Sequence, residues 1–277
     1  MSGCADNAYL DARLYDIYSA PVRYDDSAAE LRYEAASVCM RVSKDPVKNL
    51  ETVTGLIDTI MTENPGTDLI VFGETSLGWY FDRTAPRKYQ LSVAETVPGP
   101  ATGIIGEKAA DYRVNVVLGM TERTEENSLY NSLVLINKQG EVQAVHRKVY
   151  MTGFDKRSSF NPGEGAAIVS IDGIRTAMLI CADWHDPELT EQIQQADVDL
   201  FILSLADLAE DIGYHFNPIP RMADAWMIYA NRCGTEGGIR YPGINFIADP
   251  AGNLRKMSTG VPGYIHDSMG IYRRTRP

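Results

Sequence analysis

From residue 35 onward the chain alternates between two hydrophobic patterns. Short continuous apolar runs bounded by Gly, Asp or polar residues predict strands at Ala35–Arg41, Leu69–Phe72, Asn115–Met120, Leu200–Leu205, Tyr229–Cys233 and Ile244–Asp249. Between them come stretches with helical spacing. In Pro46–Glu63 the apolar positions are Val47, Leu50, Val53, Leu56, Ile57 and Ile60, and Asp45 before Pro46 is a helix start. Ala101–Tyr112, Pro187–Gln195 and Pro220–Ile228 read as further helices. Leu129–Asn137 and Glu141–Lys148 flank the turn Lys138-Gln139-Gly140, and Ala166–Ile171 and Arg175–Ile180 flank Asp172-Gly173, so two hairpins are expected. Repeated strand–helix units with two hairpins predict a layered α/β fold with mixed sheets. No linker divides residues 35–277, which read as one domain. Residues 1–34 are polar, acidic and Tyr-rich, an arm that is either mobile or packed on a partner subunit.

Composition narrows the function classes. At 277 residues the chain can bury a large core. Its formal net charge of -11, with no Lys/Arg stripe, argues against nucleic acid or an anionic membrane as partner. No apolar run reaches the roughly 18–20 residues of a membrane span, and the N-terminus lacks a secretory pattern. Cysteines stand at 4, 39, 181 and 233 without CxxC or zinc-like spacing. Free thiols in a reducing, cytoplasmic setting are expected, with no metal.

Three strand ends carry the candidate chemistry. Cys181 closes the apolar run Thr176–Ile180 and precedes polar Ala182–Glu188, where a nucleophile would be held rigidly and backbone N–H groups would face an oxyanion. Most free cysteines, however, are small buried hydrophobes. Glu74 follows Leu69–Gly73 and has the chemistry of a general base for a thiol; a solvated strand-end glutamate is the alternative. Lys148 ends Val145–Arg147, where it could hold negative charge or serve only as an edge-strand lysine.

Taken together the segments resemble the carbon–nitrogen hydrolase (nitrilase) superfamily over about residues 36–255. The resemblance rests on Asp45–Leu50, Phe72-Gly73-Glu74, Tyr130-Asn131-Ser132 followed by Arg147-Lys148, the C-x-D-x-x-x-P-E pattern of Cys181–Glu188, and Ala230–Gly234. It implies a four-layer α-β-β-α sandwich with two mixed β-sheets, assembled as a homodimer or larger homo-oligomer. It also implies Glu74, Lys148 and Cys181 as the catalytic set, a thioester intermediate, no metal or organic cofactor, and a small-molecule amide or N-carbamoyl amine as substrate. Ala182 would lend its N–H to the oxyanion. An N-acyltransferase, a nitrilase, and an inactive binding scaffold are the competing readings; the lack of a C-W-E nucleophile segment weighs against a nitrilase.

One segment departs from the family. A second glutamate shortly after the lysine is absent; Asp155 or Lys156 stands near its place, and Glu164 or Glu122 could supply the charge instead. Asp155, Trp184 and His185 are expected at the substrate: Trp184 as an apolar wall, His185 as a carboxylate ligand unless it stays at the surface. Asp183 and Glu188 are expected to order the loop and helix start. Trp79, Tyr80, Tyr214 and Tyr241 lie in loops that could line the mouth. His146, His215 and His266 read as structural.

Overall fold

The computed structural model describes residues 24–210 and 224–272. Strands form where the apolar runs lie: β1 (Leu31–Cys39), β2 (Leu69–Val71), β3 (Asn115–Arg123), β4 (Leu129–Ile136), β5 (Val142–Arg147), β6 (Ala167–Ile171), β7 (Ile174–Ile180), β8 (Leu200–Leu205), β9 (Trp226–Asn231), β10 (Cys233–Glu236), β11 (Ile239–Pro242), β12 (Asn245–Ala248), β13 (Leu254–Ser258) and β14 (Gly263–Ile271). The helices are α1 (Pro46–Glu63), α2 (Pro86–Val93), α3 (Pro100–Tyr112), α4 (Gly153–Ser158) and α5 (Pro187–Ala196), with a 3₁₀ turn at Cys181–His185.

Two six-stranded mixed sheets result, ordered β14-β1-β2-β3-β4-β5 and β13-β12-β9-β8-β7-β6, with β10-β11 as a separate hairpin. The centre of each sheet is parallel, β1 with β2 and β2 with β3, then β7 with β8 and β8 with β9. The period of two sends alternate residues to opposite faces. Leu69, Val71, Met178, Ile180, Leu200 and Ile202 fill the core between the sheets. Ile70 and Phe72 turn outward to meet Val53, Ile57 and Ile60 of α1 and Ile105 and Ala109 of α3. Leu179, Phe201 and Leu203 turn outward to Leu189 and Ile193 of α5. The order helix, sheet, sheet, helix is the four-layer sandwich. Each such fully buried aliphatic side chain contributes roughly 1.5–3 kcal/mol.

Helix starts follow their capping chemistry. Asp45 accepts from Val47 N–H at 3.0 Å ahead of Pro46, and Asp186 accepts from Glu188 N–H at 2.9 Å ahead of Pro187. The cap of α5 is therefore Asp186; Glu188 lies in its first turn.

Two expectations are corrected. Residues 226–228, expected in a helix over Pro220–Ile228, belong to strand β9; residues 220–223 lie outside the described residues. Trp226–Asn231 is buried at every position between β8 and β12, and backbone pairing on both sides decides for strand. β1 starts at Leu31 and ends at Cys39, so it is shifted from Ala35–Arg41 and includes residues assigned to the arm. Its whole length pairs antiparallel with β14, from Leu31 opposite Ile271 to Cys39 opposite Gly263. Residues 1–23 of the arm lie outside the described residues. No described helix is long and apolar enough to cross a membrane.

Candidate active site

The parallel strands of both sheets end toward one place, and their first residues beyond the sheet form the site. Glu74 follows β2, Lys148 follows β5, Cys181 follows β7, and Ala206 and Asp207 follow β8. The two sheets are stitched there by Ser204 Oγ to the Phe72 carbonyl at 2.8 Å and Glu74 N–H to the Leu205 carbonyl at 3.2 Å.

Glu74 is fully buried, and both its oxygens are held. Lys148 Nζ at 2.8 Å and Asn131 Nδ2 at 2.6 Å donate to Oε1; the Ala206 N–H donates to Oε2 at 2.7 Å. Its backbone is clamped from behind. The buried Arg232 guanidinium, paired with Glu236 at 2.7 Å, donates to the carbonyls of Glu74, Thr75 and Gly78 and to Thr75 Oγ1. Thr75 is left-handed at φ 44°, a conformation that such a clamp can hold. Gly119 of β3 presses on the same turn: a Cβ there would lie 2.4 Å from the Gly73 carbonyl oxygen and 2.7 Å from Glu74 Cα.

Lys148 is also fully buried and takes two carboxylates, Glu74 at 2.8 Å and Asp155 at 2.9 Å, with the Tyr80 hydroxyl at 3.3 Å. Burial opposes its charge, but the carboxylates more than offset this and hold its pKa well above that of an ordinary lysine. Glu74 is raised by burial, with Lys148 pulling against it.

Cys181 opens the 3₁₀ turn with φ 46°, a left-handed conformation that L-residues other than glycine seldom adopt. The turn is tied down by Asp183. Its Oδ1 accepts from the N–H groups of Val149 and Tyr150, both at 2.8 Å; its Oδ2 accepts from Ile180 N–H at 3.0 Å and meets His146 Nε2 at 2.7 Å. The turn that carries Cys181 is thereby fixed to the segment that follows Lys148. Burial, then the Glu74 charge, raise the Cys181 thiol well above the usual range, while Lys148 acts in the opposite sense. The Cys181 sulfur thus lies within electrostatic reach of both Glu74 and Lys148.

Above it opens a cavity of about 380 Å³, within the range of small-molecule sites. Cys181 and Ala182 face it, with Tyr80, Phe154, Trp184, His185, Leu205, Asp207 and Leu208 among the walls. The Trp184 and His185 rings lie tilted against each other with centroids 3.9 Å apart.

Asp155, expected at the substrate, does not line the cavity. It is fully buried behind Lys148, and its Oδ2 also accepts from the Thr152 N–H and hydroxyl as part of the cap of α4. Lys156 and Glu164 are exposed, and Glu122 is committed to Arg147 at 2.5 Å and to Ser132 at 2.6 Å. Asp155 is thus the second carboxylate on the lysine, alongside Glu74. Trp79 and Tyr241 do not line the cavity either: Trp79 N–H and Nε1–H donate to Tyr89 and the Val42 carbonyl, and Tyr241 is buried beside Arg232. Tyr214 and His215 lie outside the described residues. His146 anchors Asp183, and His266 lies in β14. Among the described residues no group of three or more His, Cys, Asp or Glu is placed to hold a metal ion. The roles of Asn131, Arg232 and Asp207 were not read from the sequence; each depends on partners far away along the chain.

The model of the carbon-nitrogen hydrolase family matches residues 34–259. The chain belongs to the carbon-nitrogen hydrolase family. It is 29% identical over 203 residues to an (R)-stereoselective amidase from Pseudomonas sp, covering 72% of this chain and 71% of that one. It is 28% identical over 224 residues to a probable nitrilase from Schizosaccharomyces pombe, covering 76% and 78%. Among solved structures it resembles a mutant of the amidase from Nesterenkonia sp. AN1 in complex with butyramide, with TM-score 0.75 and 20% identity over 88% of this chain and 92% of that one. A second mutant of that amidase, with TM-score 0.73 and 21% identity, carries an acetamide moiety added covalently at its active-site cysteine; the match covers 87% and 91%. At this identity the likeness establishes the shared fold, and the family establishes a hydrolase that acts on carbon–nitrogen bonds.

Proposed function

We propose that this member of the family hydrolyses a small linear amide or N-carbamoyl amine through a thioester on Cys181. The observation that carries the reading is the buried contact of Lys148 Nζ with Glu74 Oε1 at 2.8 Å beside a thiol whose turn is held left-handed at the cavity floor. The Glu74 carboxylate takes the Cys181 proton as the sulfur bonds to the carbonyl carbon. The carbonyl π pair moves to oxygen, where the Lys148 ammonium and Ala182 N–H stabilise it. Collapse expels the nitrogen, which carries off the proton held by Glu74. Water then attacks the thioester and gives its proton to Glu74; the thiolate departs and recovers that proton. Asp155 would hold Lys148 in place throughout, acting on the reaction through the lysine. The amide form of the reaction is supported by the amidase relatives and by the cavity's size, which suits a short acyl chain against Trp184, Phe154 and Leu208.

The test is release of ammonia or amine from short-chain amides, N-carbamoyl amines and nitriles, with Cys181→Ala as control. Turnover of amides or carbamoyl amines that the variant lacks is expected. Turnover of nitriles alone, or release that the variant retains, would overturn the reading.

A further inference from the structure

We infer that Phe154 is the residue that limits the length of the acyl chain the cavity accepts. This rests on the amide-hydrolase reading above and adds a specificity-determining side chain to it. In that reaction the departing nitrogen takes its proton from Glu74. Glu74 and Lys148 are fully buried and do not line the cavity. The nitrogen therefore points toward the buried carboxylate. The acyl chain points away from it, into the open space above Cys181, where Phe154, Trp184 and Leu208 are among the apolar walls.

Phe154 is a wall that cannot retreat. Its ring stacks on Phe81 with centroids 4.5 Å apart and 17° between the planes, and it meets the Tyr80 ring edge-on at 5.8 Å. Phe81 and Tyr80 are themselves buried. Arg157, one turn further along α4, lies over the Phe81 ring at 4.5 Å. Phe154 is half-buried, and the surface left to it faces the cavity.

Its backbone is held as well. The Thr152 hydroxyl joins the Tyr80 hydroxyl at 2.8 Å to Asp155 Oδ2 at 2.7 Å, and Asp155 reaches Lys148 at 2.9 Å. The same turn of α4 that braces the lysine thus presents the Phe154 ring at a fixed place. Leu208 differs: it is 43% exposed and can swing toward solvent. A chain that is too long can push Leu208 aside, but moving Phe154 would break two ring contacts in a packed cluster.

The experiment measures kcat/KM for acetamide, propionamide, butyramide, hexanamide and octanamide. In the wild-type enzyme the maximum is expected among the first three, with a steep fall beyond them. Phe154→Ala removes the ring and should raise the ratio of hexanamide to propionamide about tenfold or more, the discrimination that even one methylene can carry in an apolar pocket. Phe154→Trp should lower that ratio. Phe154→Leu should fall between Ala and wild type, and it carries the test if the alanine variant does not fold. A purely structural role would lower the whole series in parallel. N-Butylacetamide, whose extra bulk lies on the nitrogen, should gain nothing from Phe154→Ala, and Leu208→Ala should shift the ratio less than Phe154→Ala does. A wild-type preference for the long amides, a ratio unmoved in the Phe154 variants, a gain confined to N-butylacetamide, or an equal shift in Leu208→Ala overturns the inference. If the amides are still cleaved in a Cys181-dependent way, the hydrolase reading stands without it. If neither amides nor N-carbamoyl amines are cleaved, both fall.

Discussion

Replacing Asp183 by Asn tests how the turn that carries Cys181 is held. The carboxylate serves four neighbours at once: the Val149 and Tyr150 N–H groups on Oδ1, and the Ile180 N–H and His146 on Oδ2, all within 3.0 Å. The variant turns one of those oxygens into a donor. If the amide nitrogen faces Val149 and Tyr150, two N–H groups lose their acceptor. If it faces the other way, the buried Ile180 N–H loses its acceptor and His146 must present its bare nitrogen. A shielded donor left without a partner costs about 1–3 kcal/mol, and a bond to a charged group is worth about 1.5–3. Even the gentler orientation therefore costs about 3 kcal/mol. With a urea dependence of roughly 3 kcal/mol per molar, the unfolding midpoint falls by about 1 M. The released turn also lets Cys181 relax from φ 46°, so kcat should fall roughly ten- to a hundredfold where the variant is still folded, with a smaller change in KM. Urea titration followed by circular dichroism, together with steady-state kinetics, reads both. A midpoint within about 0.3 M of wild type together with an unchanged kcat would refute the idea that Asp183 holds the turn.

Arg232→Lys keeps the charge but cannot reach Glu236 and three carbonyls together. A loss on the order of 3 kcal/mol is expected, lowering Tm by roughly 6 °C or more in calorimetry; an unchanged Tm contradicts the clamp. Gly119→Ala drives a methyl group into the backbone of the Glu74 turn, so kcat/KM should drop about a hundredfold or more while far-ultraviolet dichroism keeps its shape; wild-type kinetics would show that the turn has room. In the proposed mechanism Glu74 works ionised, and burial raises its pKa. Lowering pH protonates and silences it, so the acid limb of the kcat/KM profile should lie above the ordinary glutamate value of about 4.3. A limb at or below that value contradicts the buried-base assignment.

The hairpins were legible because Lys138-Gln139-Gly140 and Asp172-Gly173 are local turn chemistry, and both turns stand where β4–β5 and β6–β7 reverse. α1 was legible from the Asp45-Pro46 start and its apolar spacing. The stretch after Pro220 misled for a physical reason: Ala225–Ala230 is apolar without a break, which suits a buried helix and a central strand equally, and only pairing with β8 and β12 decides. The short α2 and α4 carry too few apolar positions to show a period. At the site, the strand ends that carry Glu74, Lys148 and Cys181 were visible as changes from apolar to polar. That Asp155 turns inward to Lys148, away from the cavity, follows from the Thr152 cap of α4. Arg232 and Asp207 could not be foreseen, because the Glu74 carbonyl and the Tyr229 hydroxyl come from elements brought to them only by the stacking of the two sheets.

Intact-protein mass spectrometry of the enzyme quenched during turnover of an amide tests the whole account most directly. The chemistry argued for Glu74, Lys148 and Cys181 predicts a mass increase equal to the acyl group, located on the peptide that contains Cys181 and absent from Cys181→Ala. Steady turnover with an unmodified Cys181 peptide, undiminished in the alanine variant, would contradict it.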